Sequence, residues 1–236
     1  MKRVFFIEMM GVPGSYDASV YDDFEDKDNE GRWFVRRFGD HPGLNIQCRN
    51  VCVDEALPGA AEVDGLVLAG TYNSVHDNTD WQQRVLAWLP DMRSAGIPLL
   101  GICGSHQLIA HMYGATVNRF GDGPYAGSHQ LEYAGDARNS PLFAGIPEAG
   151  RFHFANSDFV ADIPGNARLL ASSGKTAMAA FDYGDHWYTT QFHPEGTHET
   201  LGTIWKESKP ELAARFQPSS AGERLVNNFL GLVART

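Results

Sequence analysis

The chain has 236 residues, 43% of them hydrophobic and 20% charged, which is the composition of a globular protein large enough to bury most of its apolar surface without a metal or disulfide staple. Its 19 basic against 29 acidic side chains leave a net charge of -10, which argues against nucleic acid and anionic membranes as partners, since both call for a basic face. No apolar run approaches the roughly 18 residues of a membrane-crossing helix. Three cysteines, an odd and low number, imply no disulfide framework. Met1-Lys2-Arg3 leads into a short apolar stretch and then Glu8, too short for a signal-peptide core, so a reduced, cytoplasmic protein is expected.

In chain order, Val4 to Met10 reads as a buried strand, broken by Gly11-Val12-Pro13-Gly14. The acidic run from Asp22 to Glu30 is expected as an exposed loop, leading into a helix whose apolar face is Trp33, Phe34 and Phe38. Leu44 to Val53 and Val63 to Ala69 are strand candidates. Thr79 to Arg93 carries Trp81, Val85, Trp88, Leu89 and Met92 at helical spacing. Gly96 to Ile102 is a short apolar strand, and a helix from Gln107 to Tyr113 follows, ended by Gly114. Strands alternating with helices in this order predict parallel pairing with crossover helices, and continuous apolar runs are what buried parallel strands look like.

Beyond Thr116 the character changes. Val117 to Phe120, His129 to Tyr133, Phe152 to Phe154 and Arg168 to Ala171 are short runs that predict antiparallel additions. Thr176 to Tyr183 and His186 to Phe192 read as a hairpin across Gly184-Asp185. Helices from Glu199 to Phe216, broken near Lys209-Pro210, and from Ala221 to Val233 close the chain. No linker of domain-separating length interrupts it. One α/β domain over residues 1–236 is expected, with a central, mostly parallel sheet flanked by helices.

Three segments carry chemistry. In Gly101-Ile102-Cys103-Gly104-Ser105-His106-Gln107 a cysteine stands between an apolar strand and a helix, with glycines on both sides, as in a nucleophile elbow. A helix N-terminus favours a thiolate by its partial positive charge, and the Gly104 amide is placed to meet an oxyanion. In Gln191-Phe192-His193-Pro194-Glu195 a strand ends in a histidine with a carboxylate two residues on. On extended backbone those two side chains lean the same way, which allows Glu195 to orient His193 as a base. In Ala69-Gly70-Thr71-Tyr72 an apolar strand ends in a small-residue turn whose amides could complete an oxyanion hole.

The remaining candidates read as structural. Cys48 and Cys52 are spaced to share one face of a strand and have no second ligand pair, so core or edge roles are expected. His193, Glu195 and His198 have the residue types of a metal site, but Pro194 interrupts them, and no metal or cofactor is expected. His106 is expected to border the site and His111 to be an ordinary helix residue.

Taken together and in this order, the three segments resemble the class I glutamine amidotransferase domain of the Cys-His-Glu type. The resemblance implies a flavodoxin-like sheet and hydrolysis of the glutamine side-chain amide, with ammonia passed to an acceptor. It makes Cys103 the nucleophile, His193 the base and Glu195 the third member. Gln107, four residues after the cysteine, falls where the family helps to hold the substrate, and Gly70, Thr71 and Gly104 fall at the oxyanion hole. The elbow departs from the family's G-x-C-x-G in having its second glycine one place early, at Gly104, and the oxyanion loop has Thr71-Tyr72 where the family has G-P. Asn156 stands where a histidine is usual. No glycine-rich nucleotide loop is present, so two partnerships are open: a separate ammonia-accepting synthetase subunit, or none, in a free-standing hydrolase of γ-glutamyl compounds. A non-catalytic regulatory subunit on the same fold is the third alternative.

Overall fold

In the computed structural model, which describes residues 1–236, the first half of the chain alternates as expected. β1 (Lys2–Glu8), α1 (Glu30–Phe38), β2 (Leu44–Asn50), β3 (Gly65–Leu68), α2 (Asp80–Ser94), β4 (Leu99–Ile102) and α3 (Gly104–Met112) follow one another. The short β5 (Val117–Arg119), β6 (Tyr125–Gln130), β7 (Glu132–Tyr133), β8 (Arg151–Asn156) and β9 (Asp158–Val160) come next. Then come β10 (Arg168–Ser173), β11 (Thr176–Asp182), β12 (Trp187–Thr190), α4 (His198–Gly202), α5 (Pro210–Ala213) and α6 (Ala221–Arg235).

The principal sheet has 8 strands in the order β2-β1-β3-β4-β12-β11-β10-β7. Pairing is parallel from β2 through to β12 and antiparallel from β12 through to β7. The antiparallel pairs β5–β9 and β6–β8 lie outside it. The fold is therefore a single α/β domain with antiparallel additions.

Both faces of the centre of the sheet are covered, which is why β3 and β4 and the middle of β1 are apolar. In β1, Val4 and Phe6 enter one core with Phe34 and Phe38 of α1 and Leu225, Phe229 and Val233 of α6. The alternate Phe5 and Ile7 enter the other, with Trp81, Val85, Leu89 and Met92 of α2 and Leu108 and Ile109 of α3. Two of the helices that flank the sheet begin on side-chain caps: the Asn29 side chain accepts from the Arg32 amide, and Thr79 and Gln82 cap α2 reciprocally.

Four expectations are corrected. The second strand stops at Asn50 instead of reaching Val53, because the Asn50 side chain accepts from the Cys52 amide and turns the chain into a short helical turn. Cys48 and Cys52 therefore do not share a strand face: the Cys48 thiol donates to the Gly31 carbonyl, and Cys52 sits in the turn. The third helix starts at Gly104, directly after the cysteine. The stretch from Glu199 to Phe216 breaks near Lys209-Pro210 as expected, where Pro210 opens α5, but it also breaks earlier, at the turn Thr203–Trp205 that follows α4.

Candidate active site

β4 delivers the chain to Cys103 at its carboxyl end, and α3 starts one residue later. Cys103 has φ 49° and ψ -101°, a conformation that costs a non-glycine residue energy and holds only where its surroundings fix it. They do so from both sides. The Cys103 amide donates to the Thr190 carbonyl of β12 at 2.7 Å, and its carbonyl accepts from the Gln107 amide. Ser105 donates to the Ala69 carbonyl at the end of β3, tying the elbow to the neighbouring loop.

The early glycine has a steric cause. A Cβ on Gly104 would lie 2.2 Å from the Thr71 Cγ2 and 2.9 Å from the Thr71 nitrogen. Position 104 must therefore be bare, while position 105 carries a useful hydroxyl. The same closeness brings two donors together. Gly104, as the first helical residue, has no intrahelical acceptor for its amide, and the Thr71 amide has no backbone acceptor. Both sit beside Cys103, as an oxyanion hole requires.

His193 lies just past β12, where its amide donates to the His153 carbonyl in an antiparallel bridge. Its Nδ1 donates to the Glu195 Oε1 at 2.7 Å, with both side chains largely buried. Gly70 fills the gap on the other side: a Cβ there would be 2.9 Å from the His193 Cε1 and 3.4 Å from the Cys103 Cβ. Burial by itself would strip the charge from the imidazole, but the Glu195 carboxylate and then Cys103 outweigh it and hold the ring well above the usual histidine range. Arg37 of α1 fixes the turn from below, donating to the carbonyls of Glu195 and Gly196 at 3.0 and 2.8 Å.

The structure brings Cys103, His193, Glu195, Gly70, Thr71 and Gly104 into one place. Gln107 is different. Its amide group donates inward, to the Asp158 carbonyl at 2.8 Å and the Gln191 Oε1 at 3.1 Å. Gln191 in turn donates to the Cys103 sulfur at 3.6 Å, so Gln107 reaches the cysteine through a second glutamine. His106 does not border the site. It is fully buried under β11 and β12, donating to the Met178 carbonyl and accepting from Thr189, and burial pushes its pKa down to about 3. His198 faces Glu199, and no three His, Cys, Asp or Glu side chains converge as a metal site would need.

A cavity of about 610 Å³ opens from Cys103, lined by Gly70, Thr71, Tyr72, His193 and Glu195 on the sheet side. Its other wall is made by Tyr21, by Phe24 and Glu30 of the acidic run expected as an exposed loop, and by Trp33 and Phe34 of the helix after it. Tyr72 is locked into this wall, with its ring stacked on Tyr16 at 5.0 Å and its hydroxyl 2.7 Å from that of Tyr21. Two polar atoms in the wall are buried without a partner, Glu30 Oε2 and Trp33 Nε1. Burial, then Glu8 and Glu195, hold the Glu30 carboxyl well above its usual range, against the pull of His193. The signal that could have found this wall was the set of aromatics, Tyr21, Phe24 and Trp33, interleaved with the acids.

The fold is that of an α/β protein that brings a cysteine, a histidine and a glutamate together at the carboxyl edge of its sheet. More narrowly, the chain belongs to the class-I glutamine amidotransferase family, whose model matches residues 38–208. It is similar to the glutamine-hydrolysing GMP synthase of Caldicellulosiruptor saccharolyticus, with 39% identity over 108 residues, 45% of this chain and 20% of that protein. The corresponding enzyme of Bacteroides fragilis is 30% identical over 161 residues, covering 68% of this chain and 30% of that protein. The chain thus spans between 20% and 30% of the length of these relatives. Among solved structures, a glutamine amidotransferase from Thermotoga maritima superposes with a TM-score of 0.74 at 20% identity, over 100% of this chain and 99% of that one. A glutamine amidotransferase from Methylobacillus flagellatus gives 0.64 at 19% identity, over 100% and 90% of the two chains. These two likenesses establish a shared fold.

Proposed function

We propose that this chain hydrolyses the side-chain amide of glutamine through a glutamyl thioester on Cys103 and delivers the ammonia to a separate acceptor enzyme in the cytoplasm. The observation that carries the reading is the Glu195–His193 hydrogen bond of 2.7 Å beside a cysteine held in an elbow conformation. The Cys103 sulfur attacks the carboxamide carbon, and the oxygen takes its negative charge against the amides of Thr71 and Gly104. His193, held protonated by Glu195, gives its proton to the departing nitrogen as ammonia leaves. Water then enters, gives a proton to His193 and cleaves the thioester to glutamate and the free thiol. Delivery to an acceptor is supported by family membership and by relatives that are glutamine-hydrolysing GMP synthases, of which this chain matches one part.

One observation favours a second reading. The cavity of about 610 Å³ lies in the middle of the ~300–1,000 Å³ range of drug-sized ligand sites, and its aromatic wall extends beyond what a five-carbon amino acid would touch. A γ-glutamyl conjugate with an apolar leaving group fits that space, and the same chemistry would cleave it.

Ammonia release from L-glutamine, measured beside amine release from γ-glutamyl dipeptides, tests both readings. Cys103→Ala is expected to lose at least about 10⁴-fold in kcat/KM and His193→Ala a comparable amount, with Glu195→Ala impaired by less because it only orients and supports the imidazole. Full activity in Cys103→Ala would remove the thiol mechanism.

A further inference from the structure

Behind Cys103, on the side away from the cavity, side chains form a series of hydrogen bonds that runs one way. At its far end is the main-chain carbonyl of Asp158, the first residue of β9, which can only accept. It takes an N–H of the Gln107 side chain at 2.8 Å and one of the Asn156 side chain at 2.9 Å, so both its lone pairs are used. This fixes which end of the Gln107 amide is nitrogen. The second Gln107 N–H goes to the Gln191 Oε1 at 3.1 Å. Gln191 then presents its own nitrogen on the other side, where it meets the Cys103 sulfur at 3.6 Å. Turning the Gln191 amide over would set nitrogen against nitrogen at one end and oxygen against sulfur at the other. Both glutamines are buried and neither lines the cavity, so their polar atoms serve the protein itself.

Resting on the reading of Cys103 as the thiol nucleophile, we propose that Gln191 is a hydrogen-bond donor to the Cys103 thiolate, and that Gln107 is a positioning residue that holds Gln191 with its nitrogen against the sulfur. A thiol sulfur is a weak acceptor, whereas a hydrogen bond to a charged group favours the charged form, so the donor favours thiolate over thiol. Gln191 does this from the interior while the cavity side of the sulfur stays open to substrate. No bond or proton changes at Gln191 when the thioester forms or breaks. The other ionisable groups on the elements around Cys103 have their own partners. His193 is held by Glu195, with Glu30 near both on the cavity side. His106 is turned to Met178 and Thr189, His153 to Ser128, Tyr72 to Tyr21, and the Asp158 carboxylate to Arg119 at 2.7 Å.

The rate at which iodoacetamide labels Cys103, read by mass spectrometry from about pH 5 to about pH 10, tests the proposal without needing turnover. The thiolate sulfur forms a bond to the methylene carbon and iodide leaves with the bonding electrons. Iodoacetamide has no amino-acid head, so a residue that only holds substrate would not change the profile. The midpoint belongs to the Cys103–His193 pair, and the difference between proteins is what is read. In Gln191→Met it should stand higher than in the parent by about one pH unit, the size that a hydrogen bond to a charged group provides. Gln191→Glu keeps the shape and the acceptor for Gln107 but turns an oxygen to the sulfur, so its midpoint should rise at least as far. Gln107→Leu should move it the same way by less. At the alkaline end the variants should label as fast as the parent or faster, since a more basic thiolate is the stronger nucleophile. Labelling slowed equally at every pH, with the midpoint of Gln191→Met within about 0.3 unit of the parent, overturns the proposal and leaves the hydrolase reading standing. Loss of the fold in both Gln191 variants overturns it too, since Gln191 would then be only structural. A midpoint that moves in the Gln191 variants but not in Gln107→Leu overturns the role of Gln107. Failure of the parent to label at Cys103 would overturn the hydrolase reading and this proposal together.

Discussion

At Gly104 the first turn of α3 runs so close to Thr71 that the two backbones leave no space for a methyl group. Gly104→Ala should shift either the elbow or the Thr71 loop, costing about 1–3 kcal/mol of stability in a urea titration and about 10²-fold or more in ammonia release, because the two amides proposed as oxyanion donors both move. Adding Thr71→Gly removes the contact at 2.2 Å but leaves the one at 2.9 Å to the Thr71 nitrogen, so recovery should be partial. At this scale the sequence was most informative where function is local. Cys103 between glycines, and His193 two residues from Glu195, are readable because each motif sets its own geometry over a few residues. Gln107 was not readable in the same way. Its direction depends on Asp158 and Gln191, residues 51 and 84 positions away, and no local pattern encodes that meeting.

Helix α6 has its first turn against the loop between His193 and Glu195. A Cβ on Gly222 would stand 2.6 Å from the Pro194 carbonyl oxygen and 2.8 Å from its Cα, both of them backbone atoms that cannot swing aside. Gly222→Ala should therefore lower activity as well as stability, in contrast to an alanine on the exposed side of α6. Thermal melts and glutamine hydrolysis measured together would check this, and a loss of stability with full activity would show that the loop does not move. The elements themselves were legible because buried parallel strands and amphipathic helices have different periods, so β1, β3, β4, α2 and α6 were recognisable. Their ends were less so, since a single hydrogen bond from the Cys52 amide to the Asn50 side chain is enough to stop β2. The acidic run before α1 misled for a related reason. Charge density marks solvent exposure on average, but here Tyr21, buried with only 3% of its surface exposed, and Phe24 fold the run back over the cavity.

For the whole molecule, two histidines are buried in neutral form far from the ionisation they would have in an unfolded chain. Burial pushes His106 down to about 3 and, with His198, His193 and Arg37 adding to it, His153 down to about 4. Below the ordinary value of about 6.5 the unfolded chain takes up protons that the folded one refuses, so stability is lost as pH falls from about 6.5 toward 4, by up to ~1.4 kcal/mol per pH unit for each histidine. Glu8 and Glu30, whose pKa values burial raises, act in the opposite direction. The difference between parent and His106→Gln isolates the effect: urea titrations from pH 7 to 4.5 should give a shallower acid slope in the variant, and parallel slopes would contradict the burial assigned to His106.

The central claim is a covalent glutamyl group on Cys103 common to every γ-glutamyl substrate, and its most direct test is partition of that group between water and hydroxylamine. L-Glutamine and the γ-methyl ester of glutamate are hydrolysed separately at one fixed hydroxylamine concentration, and γ-glutamyl hydroxamate and glutamate are quantified. A shared thioester has no memory of its leaving group, so the ratio of the two products should be the same from both substrates. Ratios that differ between them, or hydrolysis that yields no hydroxamate, would contradict the account.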